Sequence, residues 1–220
     1  MDLVLNERIT GGKDWATILF LLCFVLIAVN RTVFQARFSE FTRLALTDKY
    51  TKIYKDSGNM FSGFTVSFFI IQVISFAFLI LYLLGYFKIT DGTSWIAYIR
   101  IFTVISVFIL SKYLIEKIIA TSFNIEEFNE QFNLHKVNYR TYIGLLLLPV
   151  NLILFYNAEP HPVVIYIIIG LVAAASIISY IVSLKIYQNL IANKLFYFIL
   201  YLCTLEIAPY YFMYYWFTKS

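Results

Sequence analysis

The sequence predicts an all-α fold: a polytopic helical membrane protein with about six transmembrane helices and amphipathic cytoplasmic connecting helices. Composition is the first observation, because 61% of the 220 residues are hydrophobic, 14% are charged and the mean hydropathy is +0.77. One soluble core does not bury that much apolar surface, so the surplus must face lipid. The second observation is a series of apolar runs near the roughly 20 residues that cross a bilayer. The third is an aromatic content of 20%, typical of belts at membrane interfaces.

Six runs are long and apolar enough to be predicted as spans. They cover 15–29, 60–86, 95–121, 142–156, 163–184 and 195–217. The first run has no small-residue cleavage pattern after it, so we expect it to be retained rather than removed as a signal peptide. No Gly/Ser-rich or Pro-rich linker and no repeat of twenty to fifty residues divides the chain. Residues 1–220 are therefore predicted to form a single transmembrane helical domain.

Basic residues in the connections predict the orientation, because Lys and Arg resist translocation. The first, third and fifth connections, with the residues just before them, carry Arg31, Arg37, Arg43, Lys49, Lys52, Lys55, Lys112, Lys117, Lys136, Arg140, Lys185 and Lys194. The other side carries Arg8, Lys13, Lys88 and Lys219. The excess places the odd connections in the cytoplasm. Both termini are then predicted to lie on the side of the membrane away from the cytoplasm.

The first connection is patterned as an amphipathic helix. Three phenylalanines recur at helical spacing and three arginines flank them: Phe34, Phe38, Phe41, Arg31, Arg37 and Arg43. A helix in the headgroup plane would place the rings in the acyl boundary and the arginines against phosphates. Alternatively, the stripe packs on the cytoplasmic ends of the spans. The sequence leaves both interpretations open, and the bilayer is a partner in either.

The third connection has a second amphipathic pattern. Asn124 stands three residues before Glu127, which resembles a capping box, and Phe128 and Phe132 follow on one face. This pattern predicts either a continuation of the third span after a break or a short separate helix. Its acidic side is expected to pair with the basic first connection or to dock a partner.

Polar groups and prolines inside the predicted spans form a candidate intramembrane site. Glu206 falls near the middle of the last span, and Pro209 is expected to kink the helix beside it. Arg100 lies about 8 Å inside the third span, where it either pairs with Glu206 or extends to the headgroups. Pro149 and Asn151 lie at a similar depth in the fourth span. Proline-interrupted helices with polar neighbours are typical of transporter sites and also of structural kinks.

The fifth span carries a step of small residues. Gly170 and Ala174 are four positions apart, which lets a second backbone approach closely. We therefore predict a helix contact at these two residues, either within the chain or with another subunit.

Catalytic and metal-binding patterns are not found in the sequence. It has no phosphate-cradling glycine loop, paired-histidine helix or nucleophile elbow, so we predict neither an enzyme nor a catalytic, cofactor or metal site. His135 and His161 fall on opposite faces of the predicted topology. Cys23 and Cys203 lie in separate apolar runs and are interpreted as packing residues. The net charge of +3 over residues 31–59 is too small to indicate nucleic acid.

Three strings carry a resemblance to a known family. The closing "FYFILYLCTLEIAPYYFM", the span "YIGLLLLPVNLILFY" and the segment "FSEFTRLALTDKY" resemble a domain-of-unknown-function family of polytopic inner-membrane proteins from Bacteroidota. The similarity extends over most of the chain, and "YLCTLEIAP" is its most specific part. The resemblance implies a bacterial inner membrane and an envelope context, and it marks Glu206 and Pro209 as motif positions without a role.

Three function hypotheses follow, of which a lipid-modifying enzyme at the outer interface is the least favoured because the sequence shows no credible nucleophile or metal cluster for it. The first is a non-enzymatic subunit or scaffold of an envelope-assembly or secretion complex, with a membrane-protein partner or a second copy of the chain beside it. The second is a small proton- or cation-coupled carrier that uses Glu206. A carrier is expected to show internal repeats and more polar lining than this sequence contains.

Overall fold

The computed structural model describes residues 13–44, 62–122, 126–157 and 162–186, and these ranges are helical with short connections. The helices are α1 (Asp14–Val33), α2 (Gln35–Thr42), α3 (Gly63–Tyr86), α4 (Trp95–Ser122), α5 (Glu126–Tyr156) and α6 (Pro162–Ile186). All except α2 contain a segment long and apolar enough to cross a membrane. The predicted all-α class is confirmed for this part of the chain. The predicted span at 195–217, with Glu206 and Pro209, lies outside the described residues.

Helix α3 is the centre of the bundle and contacts α1, α4 and α5, while α6 packs against α5. The helices are aligned at one end by Trp15, whose ring centroid lies 5.1 Å from that of Trp95 and 5.8 Å from that of Phe155. Lys13 Nζ also donates to the Phe155 carbonyl at 2.9 Å. We call this the tryptophan end. The opposite end, where Glu116 and Lys136 meet, is the charged end.

Helices α3 and α5 are neighbours that run in the same direction. Gln72 contacts Thr141, and Ser75, further along α3, contacts Asn151, further along α5. Helix α4 lies between α3 and α5 in the sequence and runs antiparallel to both. Parallel neighbours joined through a third helix bring together residues that are about 70 positions apart.

Helix α2 packs on the start of α3. Phe41 is 1% exposed, and its ring lies 5.7 Å from that of Phe64. Arg37 is also buried: its Nη1 donates to Ser62 Oγ at 2.7 Å and its Nη2 to Thr65 Oγ1 at 3.0 Å. The structure therefore agrees with the interpretation in which this segment packs on the ends of the spans, as shown by the contacts of Arg37 and Phe41 with α3.

The arginines of the α2 segment therefore have different surroundings. The Arg37 guanidinium carbon lies 4.7 Å from the Phe64 ring centroid, and this contact together with the two hydroxyl hydrogen bonds offsets part of the cost of burying the charge. For Arg37 the packing interpretation therefore applies, whereas headgroup contacts of Arg31 and Arg43 stay a prediction. Arg31 and Arg43 are exposed, and Phe34 and Phe38 are half-buried.

The fourth predicted span is much longer than expected. Helix α5 is continuous from Glu126 to Tyr156, so the segment before residue 142 belongs to the same helix as the fourth predicted span. Both predictions for this segment, a continuation of the third span and a short separate helix, are therefore wrong. The reason is that Asn133, His135 and Asn138 are buried against protein, so their polarity does not end the helix. Helix α5 also continues through Pro149.

Candidate functional site

The contact between α3 and α5 is a polar seam. Thr141 Oγ1 donates to Gln72 Oε1 at 3.0 Å, and Asn151 Nδ2 donates to the Ser75 carbonyl at 2.7 Å. All four side chains are buried. A Cβ on Gly144 would lie 2.8 Å from Gln72 Cα, so a glycine is needed for the helices to approach this closely. The seam holds two helices together with side-chain hydrogen bonds.

The predicted intramembrane residues are not gathered at one place in the described chain. Asn151 belongs to the α3–α5 seam, and Pro149 lies half a turn before it in the same helix. Arg100 is exposed on α4. A pairing of Arg100 with Glu206 concerns a residue outside the described ranges and stays a prediction.

The small-residue step of α6 does not contact another described helix. Gly170 and Ala174 are exposed, and a Cβ on Gly170 would meet nothing within 4 Å. Among the described residues, Gly144 makes a close helix contact, and a contact of Gly170 and Ala174 with another subunit stays a prediction. The α6 face remains open to lipid, to a second subunit or to residues outside that part.

A second polar cluster joins α4 to α5 at the charged end. Lys136 Nζ lies 3.6 Å from Glu116 Oε1, and these side chains are only 10% and 4% exposed. Asn129 Nδ2 donates to the Glu116 carbonyl at 3.4 Å, and Asn133 Nδ2 donates to Asn129 Oδ1 at 3.2 Å. The buried ion pair joins the two helices, and the Asn129 amide adds a hydrogen bond from α5 to the α4 backbone beside it.

Beside this cluster, a cavity of about 150 Å³ opens between α5 and α6. We call it the α5–α6 groove. Two cations and four hydroxyl groups dominate its lining: Lys136, Arg140, Ser176, Ser179, Tyr180 and Ser183. Ser183 Oγ lies 3.4 Å from Nδ1 of His135, a fully buried ring that stacks on Tyr139 at 4.7 Å. The groove is a compact polar site with excess positive charge.

A smaller cavity of about 40 Å³ lies on the α4 side and shares Lys136 and Arg140 with the groove. Lys112 and Glu116 complete its charged lining. Within the described ranges, no three His, Cys, Asp or Glu side chains come together as a metal site requires.

Comparison with known protein families gives a match, which covers most of the chain. Residues 16–217 match a family described as Domain of unknown function (DUF4271). The chain belongs to the DUF4271 family. No curated protein and no solved structure matches this DUF4271 chain. The match begins in the first turn of α1 and includes every other described helix, so the seam and the groove both lie in the family region.

The sequence analysis of this DUF4271 protein did not predict the buried ion pair between α4 and α5. It used Lys136 and Arg140 only as markers of orientation and did not single out Glu116. A signal was present, because Asn129, Asn133 and Lys136 follow one another at three and four residues and therefore share one face of a helix. Because the fourth span was predicted to begin at residue 142, these three residues were not considered as one face of that helix.

We predict that Asn151→Leu lowers the free energy of unfolding by about 0.6 to 1.7 kcal/mol, the range for a side-chain hydrogen bond between membrane helices. The loss follows from removing the bond to the Ser75 carbonyl. Denaturant unfolding in detergent micelles measures it. Asn157→Leu is the matched control, since Asn157 is exposed and its change should stay within about 0.5 kcal/mol. Equal losses in the two variants would contradict a stabilising role for the seam.

Proposed function

We propose that this DUF4271 protein is a non-enzymatic integral subunit or scaffold of a bacterial envelope-assembly or secretion complex. The observation that supports it is the length of α4 and α5, which have 28 and 31 residues. At 1.5 Å per residue they measure about 42 and 46 Å, against a hydrocarbon core about 30 Å thick. Both therefore have 12 Å or more to place outside the apolar layer.

The excess length falls at the charged end. The tryptophan end aligns the start of α4 with the end of α5 through Trp15, so neither helix has room to project there. At the charged end the two helices are joined by the Glu116–Lys136 pair and by Asn129. A paired, internally braced projection is a suitable surface for docking another protein.

The exposed chemistry of this projection suits a partner of mixed charge. Lys117 and Ser122 are exposed on α4, and Glu126 is exposed at the start of α5. Because charges of both signs lie near one another, we propose a protein partner rather than nucleic acid.

We further propose that the charged end faces the cytoplasm of a Bacteroidota inner membrane. Arg31, Arg43, Lys112 and Lys117 lie at or near this end, whereas Lys13 and Lys88 lie at the tryptophan end. The excess of basic residues supports this orientation. The N-terminus is then periplasmic, and so is the C-terminus if residues 195–217 form the predicted sixth span.

The experiment is native purification of the tagged chain in mild detergent, followed by identification of proteins that elute in fixed stoichiometry. We expect a membrane-complex partner with the natural sequence and its loss from the double charge reversal Lys117→Glu and Glu126→Lys. Asp91→Lys is the control, because Asp91 is exposed at the tryptophan end. A partner that survives the double reversal, or no stoichiometric partner at all, would contradict the docking role.

A small proton- or cation-coupled carrier using Glu206 is the second candidate. Two buried amide atoms of the seam favour it, since Gln72 Nε2 and Asn151 Oδ1 have no hydrogen-bond partner among the described residues. A clean monomer or homo-oligomer in the purification directs the next test to Glu206→Gln in a proteoliposome flux assay. Loss of flux with an unchanged unfolding profile supports the carrier and rejects the scaffold.

A further inference from the structure

The α5–α6 groove contains a guanidinium group that the described fold does not use. Arg140 lines the groove and the smaller cavity beside it, and it makes no hydrogen bond or ion pair with another described residue. Lys136, one turn earlier on the same helix, is held by Glu116 and lies 4.9 Å from the Phe132 ring centroid. An arginine facing a polar cavity without a carboxylate partner is set up to bind an anion.

The serines on the α6 side complete the polar lining. Each donates its hydroxyl to the carbonyl one turn earlier: Ser176 to Val172 at 2.8 Å, Ser179 to Ala175 at 2.7 Å and Ser183 to Ser179 at 2.9 Å. A serine hydroxyl rotates about its C–O bond, so each is able to redirect its proton toward a ligand oxygen. Glu116, the carboxylate that pairs with Lys136, lines the smaller cavity and not the groove.

We propose that the α5–α6 groove binds a phosphate group, with Arg140 as the principal ligand and Lys136 as the second cation. The planar guanidinium offers two parallel N–H donors that match two phosphate oxygens. A cavity of about 150 Å³ holds such a group together with part of its hydration. This inference does not depend on the proposed scaffold or carrier function.

The depth of the groove favours the headgroup of an anionic phospholipid as the source of the phosphate. Arg140 lies 16 residues before Tyr156, about 24 Å along α5, and Lys136 lies about 30 Å along the helix. With Tyr156 at one interface, Lys136 reaches the opposite one and Arg140 lies one turn inside it. A basic pocket between helices at this level is suited to phospholipid headgroups. A soluble phosphate shares the same chemistry.

The test uses the full chain in a neutral detergent, with thermal unfolding as the readout. Three additions are compared: phosphatidylglycerol, phosphatidylcholine and inorganic phosphate. We expect phosphatidylglycerol to raise Tm at concentrations about tenfold lower than phosphatidylcholine, and we expect Arg140→Gln to abolish that difference, as the loss of about 1.4 kcal/mol would. Lys117→Gln removes the same charge from an exposed site on α4 and should keep the difference.

A second variant keeps the charge and blocks the space. Ser179→Leu leaves both cations in place and fills the groove, so it should also remove the preference for phosphatidylglycerol. If inorganic phosphate alone produces the Arg140-dependent rise, the site binds phosphate from a soluble source. Equal responses of the natural chain to the two lipids and no response to phosphate would overturn the proposal. So would equal losses in Arg140→Gln and Lys117→Gln.

Discussion

Glu116→Gln is expected to lower the free energy of unfolding by about 3 to 5 kcal/mol, because it leaves the buried Lys136 ammonium without its charge partner. The pair is 3.6 Å apart, and neither side chain is more than 10% exposed. The substitution keeps the shape of the side chain, so the loss reports charge rather than packing. It is measured by denaturant unfolding in a neutral detergent without anionic lipid, which keeps occupancy of the α5–α6 groove out of the comparison.

The double variant Glu116→Gln with Lys136→Gln tests whether the two charges are coupled. Removing both should recover a large part of the loss, since no unpaired charge remains buried. Glu126→Gln is the matched control: Glu126 is exposed at the start of α5, and its change should stay within about 0.5 kcal/mol. If the double variant loses the sum of the single losses, the pair does not hold α4 to α5.

Gly144→Ala is expected to lower the free energy of unfolding by about 1 to 3 kcal/mol, the usual range for an overpacked contact. A methyl group there would lie 2.8 Å from Gln72 Cα and 3.1 Å from Gln72 Cβ and Cγ. The first of these atoms is backbone, so α3 and α5 must move apart. That movement also stretches the bond from Thr141 to Gln72. Unfolding of the purified variant measures the loss.

The α6 helix offers the matched control for this prediction. Gly170→Ala adds the same methyl group to a mid-helix glycine that has open space around it. Alanine is the better helix former by about 0.5 to 1 kcal/mol, so the variant should be neutral or slightly more stable. A loss at Gly170 as large as that at Gly144 would show that the α3–α5 distance is not the cause.

Long apolar runs made four helices predictable to within a few residues. The predicted spans at 60–86, 95–121 and 163–184 correspond to Gly63–Tyr86, Trp95–Ser122 and Pro162–Ile186, and 15–29 corresponds to Asp14–Val33. Lipid imposes this signal directly, because a spanning helix must be apolar along its length. The full length of α5 was not predictable in this way. Asn133 and His135 lower the hydropathy of its first half, although both are buried against protein in the structure.

The site was less predictable because it is made by contacts between distant residues. Asn151 was predicted as an unusual polar group in a span. Its partner is the backbone carbonyl of Ser75, and every residue has such a carbonyl, so the sequence does not identify it. Gly144 stands among leucines without a small neighbour four residues away, so the motif pointed to Gly170 instead. Arg37 fits a headgroup contact by pattern alone, and only Ser62 and Thr65 show why it is buried.

The parallel arrangement of α3 and α5 has a consequence for membrane insertion. The hydrogen-bond partners of α3 in this seam are made much later in synthesis, since Thr141 follows Gln72 by 69 residues and Asn151 follows Ser75 by 76. A nascent chain therefore inserts α3 with the Gln72 amide not yet joined to Thr141. It must retain that state while α4 crosses back. Only the arrival of α5 closes the seam, so we expect a chain truncated after α4 to leave the Gln72 amide without its Thr141 partner.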